Sequence, residues 1–336
     1  MVCLFLCILL APLSAQQTFE LRGGRWVDLP AQVGPTTQQP LDPALLRIEE
    51  LLRQHRNADA RRQVIRWLKS NKGSPVYDRA LFLMAEALYQ YGDRMKSYYY
   101  LDELLDEYPD SPLYYRALEK QYQIADAFLN GYKTRFLRIP MFRADDEAIE
   151  MLFRIRERSP GSPLAEEALR RTADYYYADA QYDLAEDAYR AYASAYPRSE
   201  YVPRVQLREA YSNLAQFRGL RFDATPVLDA KVQLQEIAAR YPDLATEENV
   251  AGLLNRIDNT FARKLSVTAD FYERTREPRA AMYTYEYLVK NYPDTPEAAF
   301  AEEQLQRLRA THLSAEPTAA PTTAPRFEPL SSAVNP

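Results

Sequence analysis

The side chains best placed for chemistry are two pairs of adjacent carboxylates, Asp145-Asp146 and Glu166-Glu167. Two carboxylates do general acid–base work when their surroundings keep one protonated and the other ionised. Sequence neighbours diverge on a helix, however, and acidic residues are ordinary at helix starts, where they meet the positive end of the helix dipole. No nucleophile–base set accompanies either pair. The two histidines, His55 and His312, stand far apart, and both cysteines, Cys3 and Cys7, lie within the first ten residues. That leaves the body of the chain without a disulfide or a thiolate metal site. There is no Walker loop and no Gly-x-Ser-x-Gly elbow. The expectation is a non-enzymatic protein with no cofactor, no metal and no small-molecule substrate.

Binding is the remaining class of function, and the composition narrows it. The chain is 47% hydrophobic and 26% charged, enough for a continuous core. Its net charge of −5 lacks the basic footprint of a nucleic-acid binder. Only 9 glycines are present, which argues against many tight hairpins, whereas 26 tyrosines recur at helical spacing. The tyrosines read as packing residues with the hydroxyl tip in water.

One stretch sets the architecture. Counting back from Pro197, Ala185, Tyr189 and Tyr192 lie 12, 8 and 5 residues earlier, on one helical face. The same ruler finds Ser97, Leu101 and Leu104 before Pro109, and Ala148, Leu152 and Ile155 before Pro160. It finds Ala230, Leu234 and Ile237 before Pro242, and Ala281, Tyr285 and Leu288 before Pro293. Lys72 replaces the proline in a sixth copy, with Ala60, Val64 and Trp67. A small residue lets two antiparallel helices approach, and large neighbours fill the groove between them. The stops are 37 to 51 residues apart, and the shorter step is close to the roughly 34 residues of a tetratricopeptide unit. The expected fold is all-α, a right-handed solenoid of tetratricopeptide-like helix-turn-helix repeats.

Ser74-Pro75, Ser111-Pro112, Ser162-Pro163 and Thr295-Pro296 repeat a start signal in which a hydroxyl caps and proline fixes the first turn. The predicted helices are 43–56 with 59–70, 75–90 with 93–107, 112–129 with 145–158, and 163–180 with 182–196. They continue with 199–217 and 226–240, then 245–275 and 278–291, and end in a single helix over 296–311, whose polar outer face suits a terminal unit.

The regions around this body differ in character. Residues 1–15 resemble a secretory signal, with an apolar run and Ala15 before the polar Gln16, although no basic residue precedes the run. Cys7 follows Leu4-Phe5-Leu6, a poor match to the small residues that precede a lipid-modified cysteine. Residues 16–42 form an N-terminal arm in which Gly23-Gly24 allows either a short hairpin or an extended strap on the helices. The repeat domain spans 43–311, and the Pro/Ala/Thr-rich residues 312–336 read as a disordered tail. An insertion over 131–143 carries both basic and apolar residues. Arg135, Phe136, Leu137, Arg138 and Phe142 are candidates either to fold back on the solenoid or to meet a partner or a membrane surface. A shorter insertion spans Gly219 to Pro226.

The run from Ile257 to Ala281 (IDNTFARKLSVTADFYERTREPRAA), followed by Tyr285 and by Tyr287 to Pro296 (YLVKNYPDTP), resembles the last repeats of the BamD (YfiO-type) family. Tyr108 to Pro112 (YPDSP) and Phe217 to Thr225 (FRGLRFDAT) are similar to its inter-repeat signals. The resemblance covers roughly residues 43–311. It implies a periplasmic scaffold of the outer-membrane β-barrel assembly machinery, without catalytic residues and anchored by lipid. It also implies protein partners: unfolded outer-membrane proteins at the N-terminal repeats and machine subunits at the C-terminal ones. An exported adaptor of cell-wall synthesis or envelope constriction would carry similar repeats. In the tetratricopeptide register the first helix of each pair lines the concave wall. Arg79, Phe82, Glu86 and Tyr89 in one unit, and Arg116, Glu119, Gln123 and Asp126 in the next, are therefore the candidate partner-binding residues.

Overall fold

The computed structural model describes residues 18–22, 25–29, 42–136, 139–142, 144–217, 219 and 224–313. The chain divides into two compact units, Met1–Gln216 and Phe217–Pro336.

The first unit begins with an antiparallel hairpin of β1 (Thr18–Arg22) and β2 (Arg25–Leu29), in which Thr18 lies opposite Leu29 and Arg22 opposite Arg25. Of the two conformations open to the arm, the backbone takes the hairpin. Helix pairs follow: α1 (Pro43–Arg53) with α2 (Asn57–Ser70), and α3 (Tyr77–Tyr91) with α4 (Arg94–Glu107). After α5 (Tyr114–Leu129), the long insertion forms a second small hairpin of β3 (Thr134–Phe136) and β4 (Ile139–Phe142) before α6 (Asp145–Arg158). The unit closes with α7 (Pro163–Ala178), α8 (Tyr182–Ala195) and α9 (Val202–Ala215). The second unit holds α10 (Thr225–Arg240), a short α11 (Pro242–Glu247), α12 (Val250–Arg274), α13 (Pro278–Asn291) and α14 (Pro296–Leu313). Within each unit, consecutive helices pack on one another, as stacked helical hairpins must to bury their apolar faces.

The spacing rule describes the core. Every residue of the six small-large-large triads is buried, and Trp67, at 8%, is the most exposed of them. Ala60, Ala148, Ala185, Ala230 and Ala281 are all at 0%. Ser97 holds the same place in its copy because its hydroxyl donates to the Ala85 carbonyl at 2.7 Å, which satisfies the buried polar atom. Three of the tyrosines depart from expectation. Tyr189, Tyr192 and Tyr285 are fully buried, and their hydroxyls reach carboxylates. Tyr189 donates to Asp174 at 2.7 Å and Tyr192 to Glu166 at 2.5 Å, while the Tyr285 hydroxyl lies 2.6 Å from Asp270 and 3.1 Å from Glu273.

The turn inside each pair repeats as well. His55, Gly92, Ala180 and Arg276 are left-handed, with φ of 57°, 89°, 59° and 62°, and each lies 17 residues before its helix stop. In each case the next amide reaches back to close the preceding helix: Arg56 to Leu51, Asp93 to Leu88, Gln181 to Tyr176 and Glu277 to Tyr272, all at 2.9 Å. This is the Schellman closure, which satisfies the last carbonyls of a helix.

Several helix starts differ from the predicted ones: α2 begins at Asn57 and not 59, α9 at Val202 and not 199, and two of the Ser/Thr-Pro signals act as turns. Ser162 and Thr295 accept from the amides of Ala165 and Ala298, as expected of caps. Ser74 and Ser111 instead head a tight turn, so α3 and α5 start two residues past their prolines, at Tyr77 and Tyr114. The single helix predicted over 245–275 is two helices, α11 and α12. Asn249 between them takes φ of 49° while its side chain caps Gly252 at 3.3 Å. The last helix extends through His312 to Leu313, past the predicted border at 311. The signal segment 1–15 and the tail from 314 onward lie outside the described residues, as do 218 and 220–223 of the shorter insertion.

Candidate protein-binding groove

In the first unit, α1, α3 and α5 lie side by side and enclose a groove of about 790 Å³. These are the first helices of three successive pairs, and helical periodicity turns one stripe of each toward the same side. Six of the eight predicted residues line the groove: Arg79, Phe82 and Glu86 from α3, with Arg116, Glu119 and Gln123 from α5.

The other two do not. Tyr89 is half-buried against the core, with the Lys120 ammonium 4.5 Å and the Arg94 guanidinium 5.1 Å from its ring centre. Asp126 sits beyond the groove and is engaged by Arg171 of α7 at 2.6 Å. The tetratricopeptide register of the first helices puts both on the wall; Tyr89 turns instead to the core and Asp126 to α7. Of the loop candidates, Arg135 and Phe136 fall on β3 and Phe142 on β4, while Leu137 and Arg138 lie outside the described residues.

The lining includes residues the sequence reading passed over, among them Glu49, Leu52, His55, Asp78, Gln90 and Lys120. A signal for one of them was present. Extending the ruler to 23 residues before the stop gives Glu49, Glu86, Asp174 and Asp270, an acid in four copies. Two of these build ion pairs along the groove. Arg79 places two guanidinium nitrogens on Glu49, at 2.6 and 2.8 Å, and Lys120 lies 3.1 Å from Glu86. With Asp126–Arg171 they form a ladder in which each first helix offers an acid to a base on the next. In the second unit Glu273 of α12 meets Arg307 of α14 in the same sense. Such part-exposed pairs contribute little stability each, roughly 0.2–1 kcal/mol, but they fix which helix faces fit together. The groove floor is apolar, from Leu52, Phe82 and Leu83. Asp78 beneath it accepts from the Ser111 hydroxyl at 2.5 Å.

Both pairs of adjacent carboxylates lie near helix starts. Asp145 and Asp146 sit in the first turn of α6. Glu166 accepts from Tyr192 and Ser199, while Glu167 accepts from Tyr122 at 3.1 Å, so the two diverge. Among the described residues no group of three or more His, Cys, Asp or Glu could hold a metal ion, and no helix is long and apolar enough to cross a membrane.

A wall of helical repeats with a polar-rimmed, apolar-floored groove defines a protein-interaction adaptor. A tetratricopeptide-repeat family model matches residues 79–111, within the groove-bearing part. The YfiO family model, whose description is outer membrane lipoprotein, matches residues 144–324, more than half of the chain. The chain belongs to the YfiO family, which implies an exported location. No curated protein matches it. Among solved structures, the C-terminal part of a TPR repeat-containing protein from Cytophaga hutchinsonii is similar at 14% identity, over 76% of this chain and 98% of that one, with a TM-score of 0.30.

Proposed function

We propose that this protein is a non-enzymatic adaptor at the periplasmic face of the outer membrane that takes part in the assembly of β-barrel outer-membrane proteins. Its groove would hold a partner protein or a segment of unfolded barrel polypeptide. The observation that carries the reading is the groove of α1, α3 and α5 in a chain of the YfiO family. The groove lies ahead of the matched stretch 144–324, so partner capture and attachment to an assembly would use different parts of the chain. The proposal includes an exported precursor whose residues 1–15 are removed and a loop over 131–143 that touches a partner or the membrane surface.

Crosslinking in intact envelopes followed by mass spectrometry tests this. Recovery of β-barrel assembly subunits or barrel precursors is the expected result. Recovery of cell-wall synthesis or constriction proteins alone would transfer the adaptor to that pathway. Recovery of cytosolic proteins alone would remove the export reading.

A further inference from the structure

The groove is charged, yet nearly all of its charge is already answered from within. Of its four Lys and Arg side chains, Arg79 is held by Glu49, Lys120 by Glu86, and Arg53 at the rim by Glu50 at 2.6 Å. Arg116 differs. Its guanidinium stands 5.0 Å from the centre of the Phe82 ring, and among the described residues no carboxylate pairs with it. It is exposed, while the ring beneath it is 8% exposed. A guanidinium on an aromatic face keeps its in-plane N–H donors free, in the fork that matches a carboxylate.

We propose that Arg116 is the specificity-determining residue of the groove, and that it takes the side-chain carboxylate of an Asp or Glu within an otherwise apolar peptide segment. The inference rests on the groove being the partner site. The neighbouring floor of Leu52, Phe82 and Leu83 receives the apolar residues on either side of that acid. The groove continues past Arg116 in both directions, from Leu113 just ahead of α5 to Gln123. A chain therefore runs over Arg116 and does not end on it, which favours an internal side chain over a terminal carboxylate. Because Arg79 and Lys120 are already paired, added acids find no further partner, so one carboxylate suffices.

The test uses the full chain and fluorescein-labelled, C-terminally amidated nonapeptides of Leu, Ala and Val that differ only at the central residue: Glu, Gln or Lys. Fluorescence polarisation should show the Glu peptide binding about tenfold more tightly than the Gln peptide and the Lys peptide binding most weakly. Arg116→Gln should bring the Glu peptide down to the Gln level, Arg116→Lys should restore part of the difference, and Arg263→Gln, at an exposed site on α12 that does not line the groove, should leave it unchanged. Equal binding of the Glu and Gln peptides to the parent, or a preference that survives Arg116→Gln, would overturn the assignment while leaving the groove as a peptide site. No binding of any peptide would remove both. Circular dichroism of each variant separates lost recognition from lost folding.

Discussion

At the scale of single residues, the tyrosines carry the most information. A phenol buried beside a carboxylate must keep its proton, because ionising it would place two negative charges together out of water. Burial, reinforced by Asp102, pushes the Tyr98 hydroxyl up from 10.0 to about 12. Burial and the adjoining acids push Tyr189 and Tyr285 upward as well. The unfolded chain releases these protons first. The stability they provide is therefore whole below pH 10 and is lost as pH rises from 10 through about 12 for Tyr98. In an alkaline titration, tyrosinate absorbance from the buried set should rise together with the loss of helical circular dichroism. Ionisation well ahead of unfolding would contradict this. Tyr285→Phe should cost about 1–2 kcal/mol in denaturant unfolding, since it removes a hydrogen bond to a charged acceptor while Asp270 keeps access to water. The burial of Tyr189 and Tyr285 was legible in the 12-8-5 spacing. The pairing of each hydroxyl was not: Asp174 and Asp270 sit 23 residues before their stops, on the other helix of the pair, and spacing alone does not show what they face.

At the scale of elements, the second helix of each pair was legible because two independent signals agreed: a periodic apolar stripe and a proline that ends it. The first helices were harder. Their starts depend on whether a Ser-Pro pair caps directly or makes a turn first, and the same dipeptide does either. The break at Asn249 was missed although asparagine favours helix caps, because no proline or glycine adjoins it to mark a stop. Close packing at the small position predicts that Ala185→Phe overfills the α7–α8 contact and destabilises by about 1–3 kcal/mol. Unfolding at unchanged denaturant concentration would count against it. The left-handed turn gives the opposite sign. Ala180 holds φ of 59° where the equivalent Gly92 pays no steric penalty, so Ala180→Gly should stabilise by about 0.5–1 kcal/mol after the added freedom of the unfolded chain. A lower urea midpoint for this variant would show that the turn is not strained.

At the scale of the whole molecule, the repeat could be read before any single helix boundary, because six imperfect copies agree even where each is ambiguous. The candidate groove was legible in part. Helical register placed Arg79, Phe82, Glu86, Arg116, Glu119 and Gln123 on its wall, while Glu49 and Lys120 were missed because their significance lies in pairing between helices that are distant in sequence. The function of a repeat protein resides in the side chains that stacking leaves over, and these are known only once the stacking has been seen.

The ion-pair ladder gives the stack a head and a tail. Since Glu86 looks forward and Arg79 looks back, a second copy of residues 73–109 spliced in after the first would find its links already made. The original Glu86 would meet the new Arg79, and the new Glu86 would meet Lys120. The chain could thus lengthen by whole modules, with each newcomer accepted in a single orientation, as wagons couple only front to back. The same hairpin spliced in reversed order would set like charges against each other at both joints.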